Sequence, residues 1–152
     1  MNDHFTLQPL LDLMRERADE ATRRLGQLIA TEQNARSRLK LLTDYREEYM
    51  QRFREAQADG LALPAWRNYQ HFIDKIDAAI NQQTAVVQSS AQNTAAGQEH
   101  WQTRNRQLKA IDTLALRHQQ RRREEENRQE QKRQDEFSTR KYTPPAEEDA
   151  PG

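Results

Sequence analysis

The chain has no cysteine, so a disulfide framework, a thiolate nucleophile and a zinc-thiolate site are all excluded. Among 152 residues there are only four glycines and five prolines, too few to turn a chain back on itself many times. Hydrophobic residues make up 34% and aromatic residues 7%, against 32% charged, so a thick apolar interior is not available either. No run approaches the roughly 18 consecutive apolar residues of a membrane span. The opening Met1 to Thr6 lacks the basic and apolar regions of a secretory signal, and none is expected. Charge of one sign is missing as well. The 24 basic and 24 acidic residues cancel, which gives no general pull toward nucleic acid or an anionic membrane.

The sites of catalysis are equally absent. His4, His71, His100 and His118 are scattered, with no four-apart histidine pair, so no metal site is expected. No glycine-rich phosphate loop and no nucleophile elbow occurs. Carboxylates on a thin solvated helix have no pocket to act in. The reading is a non-enzyme, with no cofactor and no small-molecule substrate.

What the chain does have is a periodicity. Leu11, Met14, Ala18, Ala21, Leu25, Leu28, Glu32, Ala35, Leu39, Leu42, Arg46, Tyr49, Phe53 and Ala56 are spaced alternately by three and four, and only Glu32 and Arg46 break the apolar character. Such spacing draws one narrow stripe along a helix, suited to sealing against a single partner helix. Asp59-Gly60 then supplies a stop and Pro64 a new start. A second stripe follows through Trp66, Tyr69, Ile73, Ile76, Ile80, Gln83, Val87 and Ser90, weakens at Thr94 and Gly97, and returns at Trp101, Leu108, Ile111 and Ala115.

Reversal near residue 61 sets Tyr49 against Ile73, Leu42 against Ile80, Phe53 against Tyr69 and Ala56 against Trp66, each an a position facing a d position. The expected fold is therefore all-α: a long antiparallel two-helix coiled-coil hairpin over residues 1–142, with a longer second helix. Helix 1 is expected at about 7–58, with Pro9 in its first turn, the reversal at 59–64, and helix 2 at about 65–141. A parallel homodimer is the competing arrangement. Gly97, Ala95 and Ala96 fall opposite Leu25 and Leu28, the softest stretch of seam, and the register over 84–97 is the least defined. Residues 117–141 are almost devoid of apolar side chains. They read as a solvated overhang carrying four-apart pairs such as Arg121–Glu125 and Arg122–Glu126. Residues 143–152 read as a disordered, proline-rich acidic tail.

The surplus lies beside the seam. Tyr45, Phe72, Ala79 and Val86 occupy g positions, and g positions of antiparallel helices line one flank. Next to Leu42, Tyr49 and Ile76, the side chains of Tyr45, Phe72 and Ala79 would form an apolar strip. Either the strip widens the buried seam, or it docks a partner, since a two-helix scaffold has little with which to cover it. The charge block Arg121 to Glu126 reads equally as a solvated face or a binding element. RNA binding is disfavoured, because no aromatic side chains interleave with the basic ones for base stacking.

LKLLTDYREEY at 39–49, NYQHFI at 68–73 and ENRQEQKRQDEF at 126–137, on a hairpin with unequal arms, resemble the FliJ family of the bacterial flagellar type III export apparatus. The resemblance covers residues 7 to 141. It implies a coiled-coil stalk similar to the gamma subunit of rotary ATPases, seated in the hexameric export ATPase FliI, contacting the export-gate membrane protein FlhA and escorting export chaperones. It also implies a cytoplasmic location, peripheral to the inner membrane at the flagellar base, and a need for the chain in flagellum biogenesis and motility, with any effect on chemotaxis indirect.

Carried over by motif, the gate-binding face would comprise Leu42, Tyr45, Tyr49, Phe72, Ile76 and Ala79. The ATPase-binding part would comprise Met14, Ala18, Ala21, Leu25, Trp101, Leu108 and Ile111, with Asn127, Arg128, Lys132 and Phe137 of the overhang. The equivalent stalk of a virulence type III secretion system, or a general coiled-coil adaptor, remains the alternative.

Overall fold

The computed structural model describes residues 3–141, with side chains from Leu7 onward. These residues form two α-helices, α1 (Asp3–Ala58, 56 residues) and α2 (Leu63–Lys141, 79 residues). The chain is an all-α helical hairpin whose second arm is the longer. The acidic segment at 143–152 lies outside the described residues. No helix among the described residues is long and apolar enough to cross a membrane.

The reversal is short because one residue does most of the turning. Asp59 N–H still donates to Glu55 O at 3.2 Å, and Gly60 N–H donates to Gln57 O at 3.2 Å while its φ reaches 91°. Only glycine takes that conformation without crowding a Cβ. The first bond of α2 runs from Trp66 N–H to Ala62 O at 3.0 Å. Pro64 therefore sits within the first turn, where a backbone N–H has no intrahelical partner to lose. The connection is accordingly 59–62, shorter than the expected 59–64, and α2 begins at Leu63 instead of near 65. At the other end α1 begins at Asp3, four residues before the expected Leu7, so Pro9 lies inside the helix and not in its first turn. Lacking an N–H, Pro9 leaves the carbonyl one turn before it without a helical donor.

By its contacts the chain divides into two compact units. One is Arg15–Gln107; the other takes α1 up to Met14 and α2 from Leu108 on. Within Arg15–Gln107, four polar contacts fix direction and register. Arg46 pairs with Asp77, Gln83 Nε2 donates to Ala35 O at 3.0 Å, Thr94 Oγ1 to Leu28 O at 3.3 Å, and Trp101 Nε1 to Thr22 Oγ1 at 2.9 Å. As the α2 number rises the α1 number falls, so the helices are antiparallel, in the register that reversal near residue 61 requires.

The stripe positions are the inward ones. Ala18, Ala21, Ala35, Phe53, Ile73 and Ile76 are each at most 6% exposed, and Ser90 is buried among them. Leu25, Leu28, Glu32, Leu39, Leu42, Tyr49 and Ala56 on α1, with Tyr69, Ile80, Gln83 and Val87 on α2, are half-buried. Half-burial is what two helices alone can achieve, since each seam residue is covered from one side only. Trp66, expected against Ala56, keeps 40% of its surface exposed.

Where α2 passes Leu28, its backbone comes close. A Cβ on Gly97 would fall on Leu28 Cδ1 and within 3.8 Å of Leu25 Cδ1. Ala95 and Ala96, expected to share this role, are exposed. They follow the inward Thr94 by one and two residues, which at 3.6 residues per turn carries them off the seam.

In the other unit Leu11 is buried, Met14, Leu108, Ile111, Ala115 and His118 are half-buried, and every residue from Gln119 to Lys141 is exposed. The helix nevertheless continues to Lys141.

Two measurements test the seam. In a free helix Gly→Ala gains about 1 kcal/mol. Gly97→Ala is expected to gain less than that or to destabilise, and to couple to Leu28→Ala by about 0.5 kcal/mol or more in a thermal double-mutant cycle. Trp101→Phe removes the hydrogen bond to Thr22 and should cost about 0.5–1.5 kcal/mol in urea unfolding, with no loss of helicity.

Candidate functional site

Heptad position alone brings five aromatic side chains together near the reversal. Tyr45, Tyr49 and Phe53 follow one another at four-residue steps on α1, and Tyr69 and Phe72 are three apart on α2. Tyr49 is the hub: its ring centroid lies 4.5 Å from that of Phe72, 5.3 Å from Tyr69 and 6.4 Å from Tyr45. Tyr45 meets Phe72 edge-on at 6.1 Å, and Phe53 meets Tyr69 at 5.2 Å. Offset and edge-to-face pairs at these distances add about 0.5–1.5 kcal/mol each beyond area burial.

The cluster grades from inside to outside. Phe53 and Ile76 are buried at 5% exposure, and Leu42, Tyr49, Tyr69 and Ala79 are half-buried. Tyr45 and Phe72 keep 43% and 36% of their surface open. Desolvation, followed by the neighbouring Tyr69 and Tyr45, raises the pKa of the Tyr49 hydroxyl above its ordinary value. Tyr49 is thus part seam, whereas Tyr45 and Phe72 are surface. Of the six residues expected to meet the export gate, Tyr45 and Phe72 offer the most area and Ile76 is buried.

Leu41 widens this face from outside the three-four pattern. It is 68% exposed, one helical turn before Tyr45. At a c position, next to the g flank, it is outside any seam, so the three-four pattern passes over it. Its signal was the four-residue step to Tyr45. On the outer side of α1, Asp44, Glu47, Glu48, Gln51, Arg52 and Glu55 line an open groove of about 680 Å³. The aromatic face is therefore bordered by carboxylates along α1.

The residues expected to face the ATPase fall into two groups. Ala18 and Ala21 are each 3% exposed, and Leu25 and Trp101 are half-buried, all in the unit Arg15–Gln107. They build the seam and present little surface. In the other unit Met14, Leu108 and Ile111 are half-buried, while Asn127, Arg128 and Lys132 are exposed and Phe137 is 66% exposed. Lys141 Nζ sits 5.8 Å above the Phe137 ring, a cation–π contact within the overhang.

Among the described residues no group of three His, Cys, Asp or Glu side chains could hold a metal ion. The arrangement suits recognition by surface, with an apolar aromatic face near the reversal in one unit and, in the other, an exposed stretch of α2 that is polar apart from Phe137.

Comparison with known proteins agrees with this arrangement. The family described as Flagellar FliJ protein matches residues 3–147. A flagellar FliJ protein of Salmonella typhi is 34% identical over 140 residues, covering 92% of this chain and 95% of the relative. Another from Escherichia coli K12 is 32% identical over the same length and coverage. Family match and relatives both extend over nearly the whole hairpin, and the chain belongs to the flagellar FliJ family.

Proposed function

We propose that the protein is a non-enzymatic stalk of the flagellar type III export apparatus, binding the export ATPase FliI with one part and the export gate FlhA with another, and escorting export chaperones. Membership of the flagellar FliJ family supports its place in flagellum biogenesis, protein export and hence motility. The observation that carries the finer reading is the exposed flank of Tyr45 and Phe72, beside a seam that Phe53, Ile73 and Ile76 already close.

A hairpin selected for stability alone has no use for two open aromatic rings on one flank. Such rings supply large, rigid contact area at little entropic cost, which is what a docking face needs. In this reading Leu42, Tyr45, Tyr49, Phe72, Ile76 and Ala79 form the gate-binding face, with Leu41 at its edge. The carboxylates at Asp44, Glu48 and Glu55 then favour a partner surface that carries basic groups around an apolar centre.

Asn127, Arg128, Lys132 and Phe137, on a helix with no packing of its own, form the ATPase-binding part together with the open ends of α1 and α2. Contacts there would be polar and individually weak, as a shaft turning among several subunits requires. The protein would work on the cytoplasmic face of the inner membrane, held by its partners and not by a span of its own. A general coiled-coil adaptor would share the hairpin but would not stimulate an ATPase.

The test is a pull-down with purified FliI and the cytoplasmic part of FlhA, comparing the wild type with Tyr45→Ala/Phe72→Ala and following helicity by circular dichroism. Loss of FlhA binding with FliI binding and helicity intact is expected. Loss of helicity would assign the strip to the seam, and binding of neither partner by the wild type would refute the stalk reading.

A further inference from the structure

Two arginines stand in the seam of the unit Arg15–Gln107, and their surroundings differ. Arg46 is met by Asp77, whose carboxylate accepts from Nε at 2.5 Å and from Nη2 at 3.5 Å. That hydrogen bond, above all, raises the Arg46 pKa and holds its charge. Arg104 occupies a d position near Ala18 and Ala21, is half-buried, and donates from Nη1 only to the neutral Gln107 Oε1 at 3.1 Å. No carboxylate pairs with it among the described residues.

Its neighbours deepen the anomaly. Arg17, Arg24, His100 and Arg104 line one groove of about 490 Å³, floored by the buried Ala21, with Glu20 the one acid on its wall. Arg17 and Arg24 sit on either side of Glu20 at helical spacing, yet neither forms an ion pair among the described residues. Arg17, Arg24 and His100 are all g positions, so two guanidinium groups of α1 face an imidazole of α2 across the flank, where a carboxylate would stabilise the pair. Acids are not scarce, because the chain has as many as it has bases. A d position filled by a charge with no internal counter-ion breaks the local rule of the coil, and such breaks concentrate at binding sites.

We propose that this groove is a docking seat for the carboxylates of an acidic segment of a partner protein. Guanidinium groups match carboxylates in bidentate geometry, and the stem of Arg104 lying along the seam limits the freedom it must lose. The groove lies mid-helix, where backbone N–H groups are spent on helical bonds and none is free to cradle a phosphate. The nearby indole N–H of Trp101 is committed to Thr22, and Glu20 repels a dense polyanion while tolerating spaced carboxylates. The seat requires only a spaced acidic segment, whichever protein supplies it, and stands apart from the stalk reading.

The experiment measures fluorescence anisotropy of a labelled glutamate-rich helical peptide against the full chain, with its glutamine counterpart as control and inorganic pyrophosphate as competitor. Arg104→Leu and the exposed Arg17→Gln should each weaken binding by about tenfold or more, roughly 1.4 kcal/mol. Replacing Arg121, Arg122 and Arg123 of the overhang by Gln should leave it within about twofold. Arg104→Leu should also raise the melting temperature, because it removes an unmatched charge from the seam. Binding unchanged in both groove variants, loss that follows the overhang arginines, effective competition by pyrophosphate, or a lower melting temperature in Arg104→Leu without weaker binding by Arg17→Gln would overturn the proposal.

Discussion

The burial of one narrow stripe against another is the constraint on which the rest of this molecule depends. Each helix has a single apolar line, and within the unit Arg15–Gln107 the only cover for either line is the other. Half-burial at most seam positions means that no residue is held by a surrounding core, so small local matches decide how the two lines meet. Gly97 opens room for Leu28, Gln83 reaches the Ala35 carbonyl, and Trp101 is fixed to Thr22. Arg46 is accepted in the seam because Asp77 stands one position off it. These polar contacts add little energy individually, but a shift of the helices would break them together, and that specifies register.

Such a scaffold offers the flank of the seam, where side chains are partly ordered by packing and still reach solvent. One stretch of the g flank carries Tyr45 and Phe72; another carries Arg17, Arg24 and His100 beside Arg104. The shared flank thus carries an apolar stretch and a stretch rich in arginine. Family membership gives the chain a flagellar export role.

The fold was legible because its determinant is local. Three-four spacing is visible in any window of a dozen residues, and Gly60 with Pro64 marks one reversal. The aromatic flank was legible for the same reason, since Tyr45 and Phe72 fall at g once Leu42, Tyr49 and Ile73 define the seam. What escaped the pattern is instructive. Arg104 stands at a d position between Trp101 and Leu108, but a charge does not register in an apolar stripe, and its lack of a carboxylate partner depends on which side chains face it. Leu41 escaped because exposure, not periodicity, makes it notable. Ala95 and Ala96 are small like Gly97, but size opens room only at a position that points inward. The start at Asp3 escaped because Pro9 suggests a first turn, although a helix tolerates an internal proline where its freed carbonyl lies within the opening turns.

The central claim is that docking is carried by the open flank, Tyr45 and Phe72 foremost, while buried seam side chains such as Phe53 take no part. A photo-crosslinking phenylalanine analogue placed in turn at Leu41, Tyr45 and Phe53 tests it most directly, using the full chain and the purified cytoplasmic part of the export gate. The account predicts crosslinks to the gate from positions 41 and 45 and none from the buried position 53. Crosslinking to the gate from position 53, or none from position 45, would contradict it.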